Sequence, residues 1–258
     1  MKNGYLGIYD SGIGGLTVVK AVQEAFPHQN VIFLADSKNM PYGSKTPQQI
    51  VSYSLNNVSI LNRYPLKAIL IACNTSDSIA RKTLQEECDL PIFGVIDPAA
   101  RKAVSLSKNR RIAVLATQAT CASGAYVRAI QKYDEEAEVV PIPCPLLVPL
   151  IEEGRCLQED EEFSQVLLNY LQEVRKCEAD TLILGCTHYD VLYEQIGEIL
   201  PDIRIVSSSR CIVNDLQDLL SDDPSNRKDK DIYLCTSESE QFRETAKLIL
   251  PEAEFQSI

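Results

Sequence analysis

The chain has 258 residues, of which 45% are hydrophobic and 24% charged, so it is long enough for one large or two medium globular domains. Its formal net charge of −11 argues against nucleic acid or an anionic membrane as a partner, because both repel negative charge, but leaves room for a small anionic substrate. With no signal-peptide pattern, no apolar stretch near the roughly 18 residues of a membrane span, and nine cysteines without CxxC spacing, we expect reduced thiols and a cytoplasmic location.

The first predicted element is a strand, Tyr5–Tyr9, which runs into the glycine-rich stretch Asp10–Gly15. A helix with a buried stripe that includes Val18 and Val22 follows it. Strand, glycines and helix in this order present backbone N–H groups to an anion. The carboxylate of Asp10, at the strand end, suggests a catalytic or orienting role, and the alternative is a cap for the helix.

The next predicted strand is Val31–Ala35, which is closed by Asp36. A turn at residues 41–43 follows, and Thr46 is placed to cap a helix, with proline at the first helical position. The apolar run Ala68–Ala72 is then a strand buried on both faces, and it ends at Cys73.

The second half of the chain repeats the alternation of strands and helices. We expect a strand at residues 92–96, a domain boundary at Asp97-Pro98, where the pattern is interrupted, and a rigid segment at 141–145 that cannot be a central strand. The remaining predicted strands are 112–115, 138–140, 181–184, 203–206 and 232–235, and the predicted helices between them are 123–131 and 163–174. We expect the chain to cross back between the halves at 207–209 and to end in a helix capped near Ser239.

One strand of the second half copies the design of the strand before Cys73. Thr181–Gly185 is a short apolar run that ends at Cys186 and is followed by Thr187 and His188. The helix stretch 126–131 also resembles 18–23, which favours a duplicated unit. Because ligands bind beyond the carboxyl ends of parallel strands, both thiols should face one cleft. The predicted fold is therefore α/β, with two pseudo-symmetric doubly wound domains, mainly parallel sheets, and the active site between them.

Two other kinds of site compete with this interpretation. Gly12–Gly15 and Asp36 could belong to a dinucleotide fingerprint, but Thr17 stands where its third glycine should be. Cys73, Cys186, His188 and Asp10 are acceptable zinc ligands by type, although they lack the paired spacing of a metal site.

Two thiols that act on opposite faces of one carbon fit the pattern best. Removing the α-proton of an amino acid and returning a proton from the other side inverts the centre, and this needs an acid/base group on each face. The resting base must be a thiolate while the opposite cysteine stays protonated. We expect Asn74-Thr75 and Thr187-His188 to supply donors for a thiolate, and Asn74 and Thr187 to hold the substrate carboxylate. A non-catalytic amino-acid-binding protein is the alternative from a different class.

Five stretches resemble the glutamate racemases of the aspartate/glutamate racemase superfamily. The stretches, in chain order, are 10–18, 41–43, 72–75, 144–149 and 184–189. The resemblance implies two α/β domains, residues 1–97 with 210–258 and an inserted 98–209. It also implies a cofactor-independent isomerase in which Cys73 and Cys186 exchange base and acid roles, without a metal, and which supplies D-glutamate for bacterial peptidoglycan.

The resemblance also implies roles for other residues. Asp10 and His188 would assist the thiols, with Glu152 as a further candidate. The residues that would bind the amino and carboxylate groups of the substrate are Ser11, Tyr42, Gly43, Asn74, Thr75, Thr117, Thr120 and Thr187. A homodimer is compatible with the sequence. Glutamate and aspartate are not separated by these residues, because one methylene in a pocket is worth only about 1–3 kcal/mol.

Several positions depart from the pattern of that superfamily without removing a catalytic group. They are Asp77, Asp97 with the two residues after it, Cys121, Asp190 and Ser207.

Overall fold

The computed structural model describes residues 4–157, 160–220 and 230–258. Within them the chain forms two sheets, one of six strands and one of four, and every strand pairing is parallel. The strands are β1 (Tyr5–Asp10), β2 (Val31–Ala35), β3 (Leu66–Ile71), β4 (Ile92–Gly94), β5 (Arg111–Ala116), β6 (Glu138–Pro143), β7 (Thr181–Gly185), β8 (Arg204–Ser207), β9 (Ile232–Cys235) and β10 (Phe255–Ser257).

The two sheets share one strand order. In the six-stranded sheet the order is β10-β9-β2-β1-β3-β4, and in the four-stranded sheet it is β6-β5-β7-β8. The segment β2-β1-β3-β4 therefore corresponds strand for strand to β6-β5-β7-β8, as a duplicated unit requires. Cys73 follows β3 and Cys186 follows β7, so the two cysteines occupy equivalent places.

Helices cover both faces of each sheet. They are α1 (Leu16–Ala25), α2 (Pro47–Leu61), α3 (Asn74–Glu87), α4 (Ile96–Leu106), α5 (Gln118–Ser123), α6 (Ala125–Gln131), α7 (Leu147–Glu152), α8 (Glu161–Lys176), α9 (Tyr193–Ile199), α10 (Ser208–Cys211), α11 (Val213–Leu216) and α12 (Glu240–Ile249). Side chains on the central strands alternate between two cores, as Leu70 and Ile71 do in β3 and Leu182 and Ile183 do in β7. Burial on both faces explains the nearly continuous apolar runs of the sequence, and the predicted fold class is confirmed.

The segment around Asp97-Pro98 differs from the prediction. The strand predicted at 92–96 ends at Gly94, and α4 begins at Ile96, so Asp97 and Pro98 lie in the first turn of a helix. Proline is tolerated there because the first amides of a helix have no partner within it. Helix α4 packs on the second sheet, while β9 returns the chain to the first. The domain limits at 97 and 210 stay predictions.

Other local predictions were mostly correct in type and less so in extent. Thr46 forms a capping box with Gln49, and Ser239 caps the closing helix α12. The helix predicted at 123–131 begins at Ala125, because Gly124, which has a φ of +66°, separates it from the preceding helix that ends at Ser123. Strand β6 continues through two prolines to residue 143, which is tolerated because β6 lies at the edge of its sheet.

Candidate active site

A cavity opens where strand ends of the two sheets meet. Its empty volume, with the mouth included, is about 560 Å³. Residues that follow β1, β3, β5, β6 and β7 contribute to its wall, which is the position that open α/β sheets use for ligands. The lining residues are Ser11, Pro41, Tyr42, Gly43, Ser44, Cys73, Asn74, Thr75, Thr117, Gln118, Cys144, Pro145, Val148, Pro149, Cys186, Thr187 and His188.

Both cysteines singled out in the sequence line this cavity, together with most of the other predicted site residues. The predicted residues in the wall are Cys73, Cys186, His188, Ser11, Tyr42, Gly43, Asn74, Thr75, Thr117 and Thr187. Asp10, Glu152 and Thr120 do not line the cavity and lie behind its wall, where each contacts a lining residue.

Cys73 is a buried thiol on the side of the first sheet. It is the residue immediately before α3, only 5% of its surface is exposed, and its Sγ lies 3.6 Å from Ser11 Oγ. Burial, assisted by the nearby charge of Asp10, raises the pKa of this thiol to about 12. The expectation that Asn74 and Thr75 stabilise a thiolate at Cys73 is not met, because their side chains bond elsewhere.

Cys186 belongs to a chain of three side chains on the opposite wall. Its Sγ lies 3.8 Å from His188 Nδ1, and His188 Nε2 lies 2.6 Å from Glu152 Oε1. Burial lowers the pKa of His188, but the contacts with Cys186 and Glu152 outweigh it and raise that pKa well above its ordinary value. Both contacts favour the protonated imidazole, whose positive charge would stabilise negative charge on the adjacent sulfur.

The glycine-rich loop after β1 holds a carboxylate of the chain itself. The amides of Gly12 and Gly15 donate to Asp10 Oδ2 at 3.3 and 3.1 Å, and Thr187 Oγ1 lies 3.5 Å from both carboxylate oxygens. Burial raises the pKa of Asp10, while His188 and the two amides oppose that shift. The amides that a pyrophosphate would need are thus directed at Asp10, which counts against the dinucleotide interpretation.

Asp36, the acidic residue that a dinucleotide site would use to bind a ribose, already has hydrogen-bond partners within the protein. The carboxylate of Asp36 accepts hydrogen bonds from the Tyr42 hydroxyl, from Asn39 Nδ2 and from Thr236 Oγ1. Tyr42 in turn accepts a bond from Asn57 at 3.0 Å. Asp36 therefore fixes the segment that contains Tyr42 and Gly43 at the cavity, and the Tyr42 hydroxyl is engaged inside the protein.

Three threonine hydroxyls form a polar cluster between the two halves. Thr75 Oγ1 lies 2.9 Å from Thr117 Oγ1 and 3.2 Å from Thr120 Oγ1, and Thr117 and Thr120 are 2.9 Å apart. Asn74 has its own partners, since its Oδ1 accepts from the Tyr126 hydroxyl at 2.6 Å and its Nδ2 donates to Ser208 Oγ at 3.1 Å. Of these groups, the hydroxyls of Thr75 and Thr117 line the cavity and can bind a carboxylate that enters it.

Several lining residues were not among the predicted site residues. Ser44 and Gln118 follow predicted site residues directly along the chain, so proximity in sequence could have indicated them. Cys144 contributes a third thiol, and its Sγ donates to the Ile142 carbonyl at 3.3 Å. It lies in the stretch 144–149 that carried the family resemblance, yet no sequence pattern marked it as part of the cavity wall.

The zinc interpretation lacks geometric support. In the part of the chain that the structure describes, no three His, Cys, Asp or Glu side chains are grouped so that they could hold a metal ion. Over the same residues, no helix combines the length and the apolarity that crossing a membrane would require.

Comparison with known proteins identifies the family. Residues 16–216 match the Asp/Glu/Hydantoin racemase family. The chain belongs to that family. It is 40% identical to a glutamate racemase of Aquifex aeolicus (strain VF5), over 96% of this chain and 94% of that protein. The enzyme is therefore an isomerase, a racemase, as the sequence predicted.

Solved structures of family members superpose on the whole molecule. A glutamate racemase isoform, RacE1, from Bacillus anthracis has a TM-score of 0.92 at 30% identity, covering 100% of this chain and 98% of that one. A glutamate racemase from Francisella tularensis, solved in complex with D-glutamate, has a TM-score of 0.91 at 31% identity, again covering 100% of this chain and 98% of that one.

Proposed function

We propose that this racemase interconverts L-glutamate and D-glutamate without a cofactor, with Cys73 and Cys186 acting from opposite faces of the α-carbon. The observation that carries the proposal is that the two thiols, which follow equivalent strands of the two sheets, line one cavity. Glutamate is favoured as the substrate because relatives at 40% identity bear that name and one solved relative holds D-glutamate.

The surroundings of the two thiols differ, as such a mechanism requires. Burial keeps Cys73 a neutral thiol, while Cys186 lies beside the protonated imidazole of His188. In one direction the Cys186 thiolate takes the α-proton, and the electrons of the broken C–H bond remain on the α-carbon. The S–H of Cys73 then gives its proton to the opposite face. That step leaves Cys73 as the thiolate and Cys186 as the thiol, so in the other direction Cys73 takes the α-proton and Cys186 returns one.

The main energetic difficulty is the negative charge that develops when the α-proton leaves. Part of that charge moves onto the substrate carboxylate, and hydrogen-bond donors that already point at the carboxylate stabilise it most when the charge is greatest. The residues of the cavity wall that can donate such hydrogen bonds are Ser11, Thr75, Thr117 and Thr187. Displacement of water from the cavity by the bound substrate would strengthen these interactions.

Asp10 and Glu152 act through their neighbours in this proposal. Glu152 accepts a hydrogen bond from His188 and keeps the imidazole charged and oriented toward Cys186. Asp10 accepts hydrogen bonds from the glycine-rich loop after β1 and from Thr187, the residue next to Cys186, and so fixes the two loops relative to each other. Both are therefore positioning residues, while the cysteines and His188 contact the reacting atoms. In the cell, the reaction would supply D-glutamate for peptidoglycan from a cytoplasmic pool.

Circular dichroism of L-glutamate and of D-glutamate incubated with the enzyme tests this proposal. Either enantiomer should lose its signal until the solution is racemic, and Cys73→Ala and Cys186→Ala should each abolish that loss. Aspartate, measured in parallel, should react more slowly. Binding of glutamate without any change in optical activity would identify a binding protein instead, and faster racemisation of aspartate would reassign the substrate.

A further inference from the structure

An acidic residue stands four positions after each of the two cavity cysteines, Asp77 after Cys73 and Asp190 after Cys186. Both have buried carboxylate oxygens, and they occupy equivalent places after β3 and β7. A buried carboxylate is costly unless its surroundings compensate for the lost water. The contacts of the two residues differ, because Asp77 accepts a hydrogen bond from the amide of Ile96, whereas Asp190 lies beside Ser207 and Ser209.

Asp77 connects the turn that carries Cys73 with the other half of the molecule. Its amide donates to the Cys73 carbonyl at 2.9 Å, so it belongs to the first turn of α3. Its Oδ2 accepts a hydrogen bond of 2.9 Å from the amide of Ile96, the first residue of α4. Helix α4 packs on the second sheet, where Ala99 and Ala103 contact the same core as Ile183 of β7. One carboxylate thus joins two helices that belong to different sheets.

The surroundings of Asp77 leave space for its carboxylate. A side chain at Gly94 would place its Cβ 1.9 Å from Asp77 Oδ1, so the position requires glycine. The guanidinium of Arg81 lies 3.6 Å from the same oxygen, which has no hydrogen-bond partner. The carboxylate therefore fills space left by the missing side chain of Gly94 and is held by backbone amides at the start of α4 and by the guanidinium of Arg81.

We propose that Asp77 is a positioning residue of the racemase reaction, which fixes the first turn of α3, with Cys73, Asn74 and Thr75, relative to the second sheet. The inference rests on the proposed function. Cys73 can return a proton only if it faces the carbon from which Cys186 removes one, and the bond from Ile96 to Asp77 joins the two halves next to Cys73. A displacement of about 1 Å at a reacting group can lower a rate about 100-fold.

Kinetics of three variants test the inference. Asp77→Ala removes the acceptor for the Ile96 amide, and we expect kcat to fall about 10- to 100-fold while KM changes less than about 3-fold, because binding groups other than those on α3 remain. Asp77→Asn keeps an oxygen for that amide and should restore kcat to within about 3-fold of the parent. Asp97 is an acidic residue of α4 whose carboxylate accepts hydrogen bonds from Lys132 and Tyr133. Asp97→Asn is therefore the control and should leave kcat and KM within about 2-fold of the parent.

A second measurement separates this inference from the proposed function. Hydrogen exchange at the Ile96 amide should accelerate in Asp77→Ala and not in Asp97→Asn, whatever the substrate. Unchanged exchange would refute the contact, and unchanged kcat in Asp77→Ala, or an Asp77→Asn variant as slow as Asp77→Ala, would refute the positioning role. An enzyme inactive on glutamate that nevertheless shows the predicted exchange pattern would overturn the proposed function and leave the contact established.

Discussion

Replacing Gly14 with alanine tests how closely the two halves must approach for activity. A Cβ at this position would lie 2.5 Å from His188 Nδ1, 2.6 Å from Thr187 Oγ1 and 2.7 Å from His188 Cε1. All three atoms belong to the loop that follows Cys186, so the methyl group would press directly on the proposed catalytic apparatus.

The size of the effect follows from these distances. Ordinary carbon contacts lie at about 3.5–4.0 Å, so His188 and Thr187 would have to move by about 1 Å. Such a displacement can cost about 100-fold in rate, and overpacking of this kind typically costs about 1–3 kcal/mol in stability. The loss of rate should exceed what the loss of stability explains, because the variant remains folded at room temperature.

Gly197→Ala provides the matched control. Its Cβ would have no neighbour nearer than Ile205 Cδ1 at 3.7 Å, and the residue lies inside α9. It should keep full activity and gain up to about 1 kcal/mol of stability from the better helix propensity of alanine. Racemisation rates and denaturant unfolding curves of both variants separate a loss of activity from a loss of stability. Wild-type kcat/KM in Gly14→Ala would refute the idea that this contact sets the position of His188.

Three further predictions concern groups around the cavity. Glu152→Gln should lower the pKa of His188 and slow racemisation about 10- to 100-fold. NMR titration can follow the pKa of His188, because the chain has only two histidines. An unchanged pKa of His188 in the variant would contradict the prediction. Asp190→Asn should stabilise the protein at pH 8 by up to about 3 kcal/mol, because burial raises the pKa of Asp190 from 3.8 to about 6 and penalises the ionised form in the folded state. Since the wild type regains that stability as the pH falls from 6 to 4, unfolding curves at pH 8 and pH 4 should show the gain only at pH 8, and an equal gain at both would contradict the assignment. Cys144→Ala should retain activity, since its thiol donates to the Ile142 carbonyl and not to the substrate side of the cavity in our proposal, and loss of racemisation in a folded variant would show that a third thiol takes part.

The strands and the cysteine pair could be predicted from sequence because their causes are local. A strand buried on both faces needs a continuous apolar run, and chemistry at its end needs a polar or nucleophilic residue directly after it. Cys73 and Cys186 satisfy both conditions, and the same rule indicated Asp10. A repeated pattern then predicted that the two ends meet.

Contacts between distant segments could not be predicted in this way. The structure shows that Glu152 contacts the lining residue His188, and that Thr120 contacts the lining residues Thr117 and Thr75. These layers depend on packing between elements far apart in the chain. The glycine-rich loop appeared suited to bind an external anion because its sequence does not show that Asp10 turns back onto its own amides.

Incorporation of solvent deuterium at the α-carbon of glutamate tests the central claim most directly. In heavy water, proton NMR should show the wild-type enzyme replacing the α-proton of L-glutamate by deuterium as D-glutamate forms, because each thiol exchanges its proton with solvent. A variant with alanine at both Cys73 and Cys186 should leave the α-proton in place. Racemisation that retains the original proton, or exchange at the wild-type rate in the double variant, would contradict a reaction carried by the two thiols.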